Sequence, residues 1–242
     1  MIAAGNPGDV DFIGLVQKWR DAHEGTAVAY DSQKDHPKIC ICVRKRPVSD
    51  KERKRRDHDS ITCLHPTVWV HSAKLRVDGI SKYLDHSSFR FDYSFDEVAT
   101  TEDVYTYSTL PLVDFVCGGR GGRATVFAYG QTGSGKTHTM GGIQQMVAED
   151  LFHLLSEQAS SSDERECSLQ NVNVAVTFFE IYGGRIQDLL NNRRRLKVLE
   201  DGKGEVVVAG LEEFEANDPD QLLGLIDSAN RYVGSYYCSI KR

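Results

Sequence analysis

The chain has 242 residues, 40% of them hydrophobic and 26% charged, which excludes a wholly disordered or fibrous polymer and leaves room for one sizeable core. Acidic residues outnumber basic ones 35 to 29 for a net charge of -6, so attraction to nucleic acid through bulk positive charge is excluded and any acidic partner must meet a local basic patch. No apolar run approaches the ~18 residues of a spanning helix, so no membrane partner is expected.

The cysteines (Cys40, Cys42, Cys63, Cys117, Cys167, Cys238) are scattered, lack C-x-x-C spacing and follow no signal-like segment, which fits a reduced, cytoplasmic setting. Near the start, Phe12, Ile13, Val16 and Trp19 fall at i, i+1, i+4 and i+7 and predict one amphipathic helix, followed by a polar loop over 24–37. Residues 1–37 read as a helix and linker beside a main domain, 38–242.

The run Ile39-Cys40-Ile41-Cys42-Val43 predicts a strand covered on both faces, with the two thiols on one face as buried core groups rather than zinc ligands. It ends at Arg44-Lys45-Arg46-Pro47. Further short β runs are predicted at 68–71, 75–77, 89–93, 125–129 and 172–179, and 196–208 reads as a hairpin around Gly202-Lys203-Gly204. Helical periodicity covers 101–116 and 143–155, and the polar run 160–166 reads as a surface loop. Strands alternating with helices give an α/β class, a central mixed sheet flanked by helices.

Residues Gly130-Gln131-Thr132-Gly133-Ser134-Gly135-Lys136-Thr137 satisfy G-x-x-x-x-G-K-[ST], with an apolar strand candidate before and a helix-capable stretch after. The glycines let successive N–H groups turn toward phosphate oxygens and the following helix adds its positive dipole end. Lys136 is suited to the β- and γ-phosphates and Thr137 to Mg²⁺. A Mg²⁺-nucleotide site follows, but the loop alone does not separate a motor from a GTPase, a helicase or a small-molecule kinase.

The longer string from Val126 to Lys136-Thr137-His138-Thr139-Met140 resembles the kinesin phosphate-loop signature. Three blocks agree with it in order: Arg44-Lys45-Arg46-Pro47; Phe89-Arg90-Phe91-Asp92 with Phe95-Asp96; and Phe178-Phe179-Glu180-Ile181-Tyr182 with Asp188-Leu189-Leu190. The resemblance implies a P-loop kinesin motor fold that binds ATP or ADP with Mg²⁺ and acts on tubulin, in the cytoplasm on the microtubule cytoskeleton. It puts Arg44, Arg46 and Pro47 at the adenine, with His138 on the other side of the base.

Within kinesins the match is most similar to the thirteenth, internal-motor family, which depolymerises microtubules. Cys42 to Pro47 resembles that family's first block, the helix before Lys38 resembles its neck, and Arg76-Val77-Asp78 falls where it carries Lys-Val-Asp, at the tip of a long hairpin against tubulin. Arg for Lys keeps the charge but changes its shape. Lys203 matches a second hairpin tip on tubulin, two basic clusters (51–56 and 193–195) are further surface candidates, and dimerisation is expected through regions outside this chain.

Gly183 stands where many kinesins have Asn. The family's N-x-x-S-S-R-S-H and D-L-A-G-S-E motifs do not occur in the sequence, so its role as a microtubule-stimulated ATPase is expected to be weak or silent in this chain. A catalytically silent nucleotide- or tubulin-binding module is thus one alternative, and a P-loop enzyme outside the family is another.

Overall fold

The computed structural model describes residues 10–31, 37–118, 122–160, 172–231 and 238–241. By internal contacts the chain divides into two compact units, Met1–Ser108 and Thr109–Arg242.

In the first unit the 12/13/16/19 pattern becomes α1 (Val10–Ala22), with Phe12 and Val16 buried. After it come β1 (Cys42–Arg44), α2 (Asp50–Lys54), β2 (Ile61–Leu64), β3 (Thr67–Leu75), β4 (Lys82–Arg90), β5 (Tyr93–Phe95) and α3 (Thr101–Ser108). Strands β2, β3 and β4 form an antiparallel meander. Its β3–β4 ladder runs from Thr67↔Arg90 to Leu75↔Lys82, so 76–81 form the tip.

Helix α1 is tied to this meander. Trp19 packs in tilted contact with the His71 ring at 4.6 Å and Trp69 at 5.0 Å, Arg20 donates to Thr62 Oγ1 at 2.8 Å and Lys82 pairs with Asp11 at 2.8 Å. The Ser49 hydroxyl caps α2 in a capping box with Glu52.

Strand β1 is shorter than its apolar run, and Ile39 and Ile41 are exposed rather than covered. Its neighbour among the described residues is β5, parallel to it with Cys42 opposite Tyr93, and a strand supported along one edge cannot bury both faces. Cys40 and Cys42 are accordingly half-buried, whereas Cys63 and Cys117 are buried. The β run expected at 75–77 ends at Leu75, and that at 89–93 divides between β4 and β5.

The second unit contains α4 (Leu110–Cys117), α5 (Lys136–Ser160), β6 (Val174–Tyr182), β7 (Arg185–Asp188), β8 (Arg194–Glu200), β9 (Val206–Ala209), β10 (Phe214–Ala216), α6 (Pro219–Asn230) and β11 (Cys238–Lys241). The sheet runs β10-β6-β7-β8-β9, and β11 also pairs with β6. Val174, Val176, Phe178 and Glu180 alternate as buried residues of β6, and Leu222, Ile226 and Ala229 bury one stripe of α6. The hairpin read at 196–208 is β8–β9.

The single helix expected over 101–116 is two helices. Pro111 lacks the N–H that would bond back to residue 107, so α3 ends and α4 restarts after Thr109, whose carbonyl accepts from Leu112 and Val113. Between β6 and β7, Gly183 and Gly184 both have positive φ (56° and 71°), a two-residue turn that Gly and Asn tolerate and that accounts for glycine at 183. The run 160–166 lies outside the described residues except Ser160. The α/β class holds as mixed strands and helices, and no helix among the described residues is long and apolar enough to cross a membrane.

Candidate functional site

The phosphate loop lies in the second unit and leads into α5, which starts at Lys136 as the glycine pattern requires. Gly133 and Gly135 have φ of 83° and 95°, conformations that residues with a Cβ resist. At Gly130 the constraint is space: a Cβ there would lie 2.5 Å from Ser134 Oγ. That hydroxyl is buried and has no hydrogen-bond partner among the described residues. Ser134 N–H closes the turn onto Gln131 C=O at 3.1 Å.

The Lys136 ammonium folds over the loop and donates to the carbonyls of Gly130 (2.7 Å) and Gln131 (3.0 Å). Thr137 and His138 are exposed on the first turn of α5, where the leading N–H groups have no intrahelical acceptor. A glycine-rich cradle with no room for a Cβ at Gly130, an orphaned hydroxyl, a lysine at the mouth and open helix N–H groups fit a polyphosphate with Mg²⁺. The donor set is hard oxygen and backbone N–H, which suits that pairing.

The strand expected at 125–129 is not formed. Those residues are irregular and Phe127 is 82% exposed. A buried strand needs neighbours on both sides, and among the described residues none pairs with this segment.

Arg44, Arg46 and Pro47 belong to the first unit. Arg44 is half-buried and donates to Thr101 Oγ1 (3.0 Å) and Ala99 O (3.2 Å), and its burial lowers its pKa against the opposing pull of Asp103. Arg46 is exposed in a two-pronged pair with Glu52 at 2.6 and 2.8 Å, and Pro47 is exposed beside it. That pair, with Ser49, drives the Glu52 carboxyl far down. Between the two arginines Lys45 points inward, 2.6 Å from Asp59 and 2.8 Å from Glu97, and Asp59 also meets Arg20 of α1 at 3.0 Å. This hub carries no motif; a charged residue inside an R-K-R run was its only sequence signal.

Arg76, Val77 and Asp78 occupy the β3–β4 tip. Asp78 accepts from the N–H groups of Ile80 (2.9 Å) and Ser81 (2.8 Å) and from the Ser81 hydroxyl, while Val77 and Ile80 face solvent. Arg76 lies over the Tyr83 ring at 5.7 Å. Lys203 is exposed at the β8–β9 tip, where Asp201 accepts from the N–H groups of Lys203 and Glu205. Of the basic clusters, Arg193 turns inward to the buried Glu180, Arg194 reaches Glu212 at 3.7 Å and Arg55 pairs with Asp57.

The family model for the kinesin motor domain matches residues 44–239. The chain is 50% identical over 237 residues to diatom spindle kinesin-1 from Cylindrotheca fusiformis, an alignment that covers 95% of this chain and 36% of that relative. The chain thus spans about a third of the length of the curated relative it matches.

Proposed function

The chain belongs to the kinesin motor-domain family, and from that premise we propose that it binds ATP and ADP with Mg²⁺ through residues 130–137 and docks on microtubules. The observation that carries the nucleotide half is the Lys136 ammonium held over the carbonyls of Gly130 and Gln131, beside a Gly130 that leaves no room for a Cβ. An entering phosphate exchanges two carbonyl partners of Lys136 for its own oxygens, a charge-assisted contact worth more than either carbonyl bond. Thr137 would hold Mg²⁺, which when bound offsets the charge of the β- and γ-phosphates. Arg44, Arg46, Pro47 and His138 are the base contacts carried over from the family.

We assign microtubule contact to Arg76, Val77 and Asp78 and to Lys203. Two exposed apolar residues beside a cation on a tip fixed by Asp78 suit a protein surface, and from the resemblance of this tip to that of the internal-motor family we read end-directed depolymerisation rather than movement along the lattice. Residues 1–37 act as a neck. The relative's name carries the word spindle, and we extend that setting, microtubules of the spindle, to this chain. Dimerisation would come from regions outside these residues. A second reading, binding without turnover, applies to these 242 residues taken by themselves, which do not contain N-x-x-S-S-R-S-H or D-L-A-G-S-E.

The test is titration of fluorescent ADP with and without Mg²⁺, alongside sedimentation with microtubules and the length of stabilised microtubules over time. Expected are Mg²⁺-dependent binding weakened in Lys136→Ala, and co-sedimentation weakened by Val77→Asp. Wild-type nucleotide affinity equal to that of Lys136→Ala refutes the nucleotide reading. Loss of length along the lattice rather than at the ends, or motion without loss, refutes depolymerisation.

A further inference from the structure

We infer that Cys40 and Cys42 form a reversible modification site, a dithiol that a hydroperoxide closes to a disulfide and that thereby moves Arg44. The two sulfurs lie 3.6 Å apart in a thiol–thiol hydrogen bond, and both residues are half-buried. Cys63 and Cys117 are buried, and burial lifts the Cys63 thiol to about 11, so neither competes. The hydrogen bond to Cys40, then burial, pushes the Cys42 thiol well above its ordinary range. Cys42 therefore keeps its proton, which leaves the attack to Cys40.

The chemistry balances within the pair and its oxidant. The Cys40 thiolate attacks the peroxide, the O–O bond breaks, and Cys40 becomes a sulfenic acid as alkoxide or hydroxide leaves and takes up a proton. The Cys42 sulfur then attacks Cys40, forming the S–S bond as the sulfenic oxygen departs with Cys42's proton as water. Two thiols are oxidised by two electrons and one hydroperoxide is reduced.

Closure has a mechanical result. Residues two apart in extended chain have Cα atoms about 6.6 Å apart, at the outer edge of what a disulfide spans, so the bond draws the segment in and is readily reduced again. Directly downstream Arg44 bonds Thr101 Oγ1 and Ala99 O, and Lys45 N–H donates to Phe95 C=O at 2.8 Å. Drawing in 40–42 pulls on these contacts and on the β1–β5 register. The consequence for nucleotide, though not the disulfide, rests on the base-contact reading of Arg44 given above.

Trypsin cuts after Lys38 and Arg44, so residues 39–44 leave as one peptide containing both thiols. The 242-residue chain is treated with hydrogen peroxide, trapped with N-ethylmaleimide and digested. The expected peptide is two hydrogens lighter than its reduced form and carries no maleimide, reverting with dithiothreitol; in Cys42→Ser it stops at Cys40 sulfenic or sulfinic acid. Without oxidant, phenylarsine oxide should bridge the two sulfurs one-to-one with loss of water. Hydrogen exchange across 42–45 and 93–96 should quicken on oxidation and recover on reduction. A doubly maleimide-labelled 39–44 peptide after peroxide, or no arsenic bridge, overturns the site; a disulfide that leaves exchange unchanged overturns its coupling to Arg44. None of these readouts depends on nucleotide binding.

Discussion

Asp59→Asn removes one charge from a cluster that joins α1 to the end of β1. Lys45 lies 2.6 Å from Asp59 and is 8% exposed, against 23% for Asp59, so this is not a surface bridge worth a few tenths of a kcal/mol. Breaking a fully buried pair costs about 3–5 kcal/mol. Here Glu97, 38% exposed, remains on Lys45 and Asn keeps the shape, which brings the expected loss at pH 7 to about 2 kcal/mol. For a chain of this size that is a Tm lower by about 4–8 °C.

Burial works to raise the Asp59 pKa, but the hydrogen bond and charge of Lys45 and the charge of Arg20 outweigh it and hold the carboxyl below its ordinary value. A depressed carboxylate stabilises the fold above its unfolded pKa, and that contribution is lost as pH falls through the folded one. The gap between wild type and variant should be widest near neutrality and close below about pH 4. Urea curves followed by Trp19 and Trp69 fluorescence, both in the first unit, report it. Asp57→Asn, which breaks the pair with a 67% exposed Arg55, is the control and should stay within about 0.5 kcal/mol. A loss under about 0.5 kcal/mol for Asp59→Asn at pH 7, or a gap that does not narrow in acid, refutes the reasoning.

Lys136→Ala should lower Mg-ADP affinity by about 10- to 100-fold, the worth of one charge-assisted contact, while leaving Tm unchanged, read by fluorescent-nucleotide titration. Gly130→Ala should lower the same affinity through its collision with Ser134 Oγ, and adding Ser134→Gly should restore much of it; no rescue removes the steric account. Burial, then His86 and Arg20, hold His71 at about 4 against an ordinary 6.5, so the unfolded chain binds a proton that the folded chain refuses and stability should fall as pH drops from 6.5 to 4. His71→Gln should flatten that limb of the urea-stability profile. Steady-state phosphate release by this 242-residue chain, with or without microtubules, should match Lys136→Ala, since groups that stabilise charge on the γ-phosphoryl are each worth about 10²- to 10³-fold and the two motifs that carry them are not in the sequence.

What could be read from the sequence was what depends on near neighbours in the chain. Phe12, Val16 and Trp19 announced α1 by period, Val206 to Val208 announced β9, and Gly133 and Gly135 announced a loop ahead of a helix. Pro111 was visible, yet the surrounding apolar period hid that it splits a helix. Thr125–Tyr129 has the composition of a strand but not a strand's neighbours, and composition cannot supply those. Lys45, Asp59, Glu97 and Arg20 meet across up to 77 residues of chain with no periodic signal, and the His71–His86 contact at 2.8 Å depends on a cross-strand register that only pairing sets.

The Asp78 turn has a kinetic meaning. Its three hydrogen bonds, with Gly79 N–H on Arg76 C=O and Arg76 N–H on Ser81 C=O, hold residues 76–81 in the free protein, so a surface that meets Val77 and Ile80 meets them already in place. Little loop entropy remains to be lost on contact. Encounter is then governed by diffusion and orientation rather than by ordering of the tip, and changes to Val77 or Ile80 should alter how long a complex lasts more than how fast it forms.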